Sequence, residues 1–418
     1  MAHFEFQRLD FFLTIGGLVA LILDIILDVY TALDFYNDWD YIRLGAFVFF
    51  LIASSLLVQT YSWLWYKYDG FEMITNVEKI PSFKSLKVLH ILQLGTYLRH
   101  MGVMETAICK YLRLKGVKTS GLDPGDAAVC LSHDVAMLRI VEAFSESLPQ
   151  LVLMVTTHIQ RGQLHAFPIL KAVASAFFVS MTVMSYHRSL RSFLKDKHEQ
   201  TIAASAIYLI WNLLLISARV SALALFTSEL PCYICTHFLC SWFVLFIFVW
   251  CTQTNFMNSK GGEVLYRGTV ALIWYFNWFN VVKGDTLRWT IIYHGYIVAD
   301  ITLLWGLWFW KINSDLTNFN YEHLIAYFCI LFFYIIGIGV KSIYYYCFHP
   351  KVTSTDLQCE EDTVDIVPLR RDSPEERVED VPDNGIMFRM ATVHTPGRRE
   401  PGDKVNMRMR KLAENFYS

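Results

Sequence analysis

Long apolar runs recur along the chain from Phe11 to His349, and residues 351–418 contain none. A bilayer core takes about 20 apolar residues per helical crossing. The pattern predicts full crossings near 11–34, 41–66, 126–157, 167–186, 202–227, 233–253, 288–310 and 321–347. Two further segments are different. The 83–103 region is punctuated by Lys87, His90, Gln93 and Arg99, and the 264–282 region has a short apolar core that ends in Asn277 and Asn280. Both read as partial or re-entrant helices. The expected fold is an all-α polytopic membrane protein of about eight transmembrane helices plus two partial ones. The order of long and partial helices repeats, which suggests two pseudo-repeats, about 1–190 and 200–350, in a membrane domain of 1–350. Residues 351–418 would form a disordered tail.

Polar positions inside the spans are the informative exceptions. Each ionisable group at a helix centre costs roughly 2.5–3.5 kcal/mol on insertion scales, so it needs a partner or a wet surface. The first span carries Asp10, Asp24 and Asp28, which share one stripe at 100° per residue. The third carries Arg139, Glu142, Glu146 and Gln150, which fall within about 80° of one another. Pro149 should kink that helix just beyond Glu146. Arg219, Asp300 and Lys341 follow in later spans. One reading is that these groups pair inside the bundle and hold helices together, with Arg139–Glu142 and Arg219 with a first-helix aspartate as candidate pairs. The other is that together they form a hydrophilic track on which a lipid head group slides while its tails stay in the bilayer.

Composition supports insertion: 54% of the 418 residues are hydrophobic and 18% are charged, against roughly a quarter charged in a soluble domain. The first run contains Asp24 and Asp28 and lacks a small-residue cleavage site, so it reads as a retained helix. Basic residues fix orientation. Lys67, Lys79, Lys84, Lys87, Lys110, Arg113, Lys115 and Lys118 follow the second span, and Arg188, Arg191, Lys195 and Lys197 follow the fourth. Both termini are therefore expected in the cytosol. Cys232 and Cys235 form a lone CxxC without further ligands at metal-site spacing, so no metal is expected and the cysteines read as buried or lipid-modified thiols. No nucleophile–base set or P-loop supports an enzyme, and neither a cofactor nor a nucleic-acid partner is expected.

The stretch EAFSESLPQL (Glu142–Leu151), the paired aspartates of LILDIILD, YHRSLR (Tyr186–Arg191), WNLLLISARVSALALF and the closing FHP (Phe348–Pro350) resemble the XK-related family of membrane proteins. The likeness spans nearly all of 1–350 and is strongest to the subgroup of caspase-activated phospholipid scramblases that includes the eighth member. The resemblance implies a non-enzymatic scramblase that moves phospholipids nonselectively between plasma-membrane leaflets and exposes phosphatidylserine on dying cells. It also implies a single-span immunoglobulin-type companion, basigin or neuroplastin, and a caspase-3-type protease as activator. Family residues along the lipid path map onto Asp10, Asp24, Asp28, Asp134, Glu142, Glu146, Arg188, Arg219 and Asp300. Asp134 lies about 140° from Arg139 around its helix.

The tail divides by charge, with eleven acids against four bases in 351–383 and seven bases against three acids in 384–418. Two D-x-x-D sequences fit caspase preference. Asp380-Val-Pro-Asp383 precedes Asn384-Gly385, and Asp362-Thr-Val-Asp365 precedes the less suitable Ile366, so Asp383 is the first choice and Asp365 the second. Two other classes remain open from the sequence: a solute transporter or channel using the same charges, and a non-transporting membrane scaffold.

Overall fold

The computed structural model describes residues 8–71, 73–111, 124–162, 166–192, 200–281, 286–315 and 321–348. Helices α1 (Arg8–Asn37) and α2 (Tyr41–Tyr68) form an antiparallel pair, and the Asp40 side chain caps the N-terminus of α2. Three short helices follow: α3 (Asn76–Lys79), α4 (Phe83–Ile91) and α5 (Gly95–Tyr111). Next come α6 (Pro124–Glu142), a π-helical turn (Ala143–Ser147) and α7 (Leu148–Arg161), which run on as one interrupted helix. Then follow α8 (Ala166–Ser192), α9 (Ile202–Glu229), α10 (Ile234–Cys251), α11 (Lys260–Phe276), α12 (Thr286–Asp315) and α13 (Tyr321–Ile343).

Among the described residues, seven helices are long and apolar enough to cross a membrane. They match seven of the expected crossings. The eighth expected crossing falls on the α6–α7 unit, which a π turn interrupts and which carries Asp134, Arg139, Glu142 and Glu146. The helix break expected near Pro149 takes the form of the π turn, in which Leu148 N–H bonds back to the Ala143 carbonyl. Such wide turns often sit at functional sites. Two expectations need correction. The 83–103 segment is not one partial helix but α4 and α5, broken at Gln93, which has a positive φ of 64°. The cysteines at 232, 235, 240, 251, 329 and 347 are exposed on the outside of the bundle, and only Cys109 and Cys130 are buried among the described ones.

α9 is the hub and packs against α7, α8, α12 and α13. Of its most apolar stretch, 61% is buried, against 6% for α1 at the periphery. Small residues explain the close approach: Ala204, Ser205, Ala218, Ala222 and Ala224 are buried on α9, and a Cβ at Gly337 of α13 would lie 2.8 Å from Leu215 Cδ2. Where the aqueous hydrophobic effect is absent, such backbone proximity is what holds helices together.

The partial helix α11 ends inside the protein, where its last carbonyls need donors. Arg219 Nε donates to Tyr275 O at 2.9 Å and the Tyr293 hydroxyl donates to Trp274 O at 2.8 Å. Asn277 Nδ2 donates to Asn212 Oδ1 at 2.7 Å, anchoring the chain as it leaves α11.

Candidate functional site

A cavity of about 500 Å³ lies in the first half of the molecule, between α1, α5, α6, α7 and α8. Asp24, Asp28, Arg139, Glu142, Gln150 and Arg188 all line it, together with Lys171. On α1, Asp24, Asp28 and Thr31 fall within about 60° of one another, so one face of an otherwise apolar helix presents acids to the interior.

Arg139 reaches across from α6, and its Nη1 donates to Gly17 O at 2.5 Å. That contact requires glycine, because a Cβ at Gly17 would lie 2.6 Å from the same nitrogen. The pairing of Arg139 with Glu142 suggested by their spacing does not form among the described residues, and the guanidinium spends its bond on the helix-one backbone instead. Glu146, buried, projects from the π turn to meet Asp24 and Asp28, with carboxylate oxygens of all three within 4.8 Å of one another. Three carboxylates so placed repel each other unless a cation lies among them or some of them hold a proton. Oxygen donors of this kind suit a hard cation that keeps part of its water shell. No motif spacing announced the cluster, because its members come from two helices far apart in sequence. Arg188, at the other end of the cavity, is held by Gln200 O at 2.9 Å.

Three predicted track residues lie elsewhere. Arg219, fully buried, pairs with Asp300 at 2.6 Å and not with an aspartate of the first helix; His237 Nε2 lies 3.0 Å from the other Asp300 oxygen. Asp134 pairs with Arg99 of α5 at 2.9 Å. Arg99 also donates to Ser62 Oγ at 3.1 Å, and its guanidinium sits 3.8 Å from the Tyr66 ring centroid. These pairs knit α9 to α12 and α5 to α6, which is the helix-holding role. Lys341 is buried too, with Nζ 2.9 Å from His294 Nε2. Asp10 belongs to the first turn of α1, but its side chain lies outside the described residues, as do Asp365 and Asp383.

The model of the XK-related protein family matches residues 12–350. This chain belongs to the XK-related family. It is 37% identical to XK-related protein 8 of Tetraodon nigroviridis over 99% of this chain and 98% of that one. It is 38% identical to XK-related protein 8 of Gasterosteus aculeatus, covering 83% and 86%, and 31% identical to that of Pan troglodytes, covering 82% and 84%.

Sequence reading missed three residues of this XK-related chain. Gly17 looks like any small residue in an apolar run. Arg99 appears only as one of the polar residues that punctuate a segment read as a partial helix. Lys171 is a single base near the start of a span, yet its Nζ donates to Thr31 Oγ1 at 2.6 Å across the cavity.

Proposed function

We propose that this multi-pass membrane protein is a phospholipid scramblase of the plasma membrane, with both termini in the cytosol. The observation that carries the reading is the cavity on the lightly packed side of the bundle, where acids and bases from α1, α6 and α8, with Gln150 of α7, face one space. A zwitterionic or anionic head group meets partners of alternating sign there, none binding tightly, and its passage costs less than crossing hydrocarbon. Its tails remain outside, along the exposed Leu23 and Tyr30 of α1.

The residues assigned to the path are Asp24, Asp28, Arg139, Glu142, Glu146, Gln150 and Arg188. Arg219, Asp300 and Asp134 support it from the frame. The tail is assigned the switch: a caspase-3-type protease cuts after Asp383 and releases the basic segment 384–418. Phosphatidylserine exposure in apoptosis follows. A single-span immunoglobulin-type companion, basigin or neuroplastin, is the expected partner in trafficking. The resemblance of the membrane portion to caspase-activated scramblases supports these assignments.

Dithionite quenching of a fluorescent phospholipid in vesicles tests the reading. The purified chain, once cleaved by caspase, is expected to make both leaflets accessible, and the Asp383→Ala chain under the same treatment is expected to leave the inner leaflet protected. Solute uptake without lipid movement would favour a transporter instead, and equal scrambling by the Asp383→Ala chain would move the switch elsewhere.

A further inference from the structure

The cavity has α1 as one wall and α8 as another, yet these two helices hardly approach each other. α1 rests on α2 and α5, whereas α8 rests on α6, α7 and α9. Leu23 on α1 and Phe177 and Phe178 on α8 line the cavity and are exposed at this seam. Such side chains belong against hydrocarbon, so the seam is a lateral doorway for a lipid rather than an aqueous mouth for a free ion.

Lys171 bridges the doorway. Its Nζ donates to Thr31 Oγ1 at 2.6 Å and lies 5.8 Å from the Tyr30 ring centroid. Among the described residues no carboxylate stands within ion-pair distance of it. An ammonium carries three N–H donors, and one hydroxyl with one ring face leaves it donors to spare. Asp28 follows one turn along α1, then Asp24, and these meet Glu146 in the carboxylate cluster. The order from the doorway inward is thus one cation followed by three anions.

That order is complementary to a phospholipid head group, in which a phosphodiester is followed by an amine. We propose that Lys171 is the phosphate-binding residue at the entry of the path. The phosphodiester of a lipid arriving through the α1–α8 seam replaces the Thr31 hydroxyl on the ammonium, and the head-group amine reaches Asp28 and Asp24. Exchanging one weak partner for a charged one loosens the latch across the seam as the lipid enters. At the other end of α8, about 25 Å away by helical rise, Arg188 provides the corresponding cation at the far end of the same cavity. The assignment rests on the scramblase reading.

The test compares two fluorescent lipids in vesicles holding the caspase-cleaved chain: phosphatidylcholine, which has a phosphate, and glucosylceramide, which has none. Lys171→Gln is expected to slow phosphatidylcholine about ten-fold, the effect of one lost charge-assisted hydrogen bond, while glucosylceramide continues at the wild-type rate. Lys171→Arg is expected to restore the phospholipid. Glucosylceramide transport also reports that the variant is folded. Equal slowing of both lipids would mean that Lys171 only latches the helices, and an unchanged phospholipid rate would mean that it binds nothing in transit; either overturns the proposal. A wild-type chain that moves neither lipid would overturn the scramblase reading itself, and this assignment with it.

Discussion

Arg139 and Gly17 show at the scale of single residues how the path is set. A long arginine crosses from α6 to the backbone of α1, and only a residue without a Cβ leaves room for it. Gly17→Ala adds one methyl where nothing but the guanidinium stands, so the guanidinium must move while the rest of α1 stays in place. Lipid transport is therefore expected to fall several-fold with little change in thermal stability, and unfolding of the variant in a melting assay would contradict this. Helical periodicity made the shared faces of Asp24 with Asp28 and of Arg139 with Glu142 legible in the sequence. It did not reveal their partners. Spacing along one helix says which residues look the same way, but the choice of neighbour belongs to helix packing, so Arg219 found Asp300 and Arg139 found a carbonyl.

The helix that stops inside the protein is the clearest case at the level of elements. α11 leaves carbonyls facing the interior, and Arg219 meets one of them while also holding Asp300. Cations are favoured at helix C-termini, so this arginine has a structural task that its charge alone did not advertise. Removing one partner of a buried ion pair costs about 3–5 kcal/mol, whereas replacing both by apolar groups of similar volume is often nearly neutral. Arg219→Met or Asp300→Leu alone is thus expected to destabilise the protein strongly. The double variant is expected to recover much of that loss, less the lost cap on α11, and a melting series on the three variants measures it. A double variant as unstable as the sum of the two singles would remove the pair from the frame. The long helices were readable from apolar length because the bilayer sets it. The break at Gln93 and the form of the turn before Pro149 were not, since a positive φ or a widened turn changes no hydropathy.

At the scale of the whole molecule, the charges inside the described spans separate into two populations. Arg219 of α9 with Asp300 of α12, and Arg99 of α5 with Asp134 of α6, are consumed in buried ion pairs that hold helices together. Asp24, Asp28, Arg139, Glu142, Lys171 and Arg188, on α1, α6 and α8, face a space beside α1, the most lightly buried of the seven long apolar helices described. Sequence placed members of both sets inside the membrane and assigned them to one track, because insertion cost is the same for a charge that is paired and a charge that is in transit. The most direct measurement is lipid movement by a caspase-cleaved chain whose cavity is filled. Ser175 lines the cavity from α8, and Ser175→Trp places an indole in that space. Transport of phosphatidylcholine is expected to drop to near the protein-free rate while the variant keeps its melting temperature. A folded Ser175→Trp protein that moves lipid as fast as the wild type would show that head groups cross by another route.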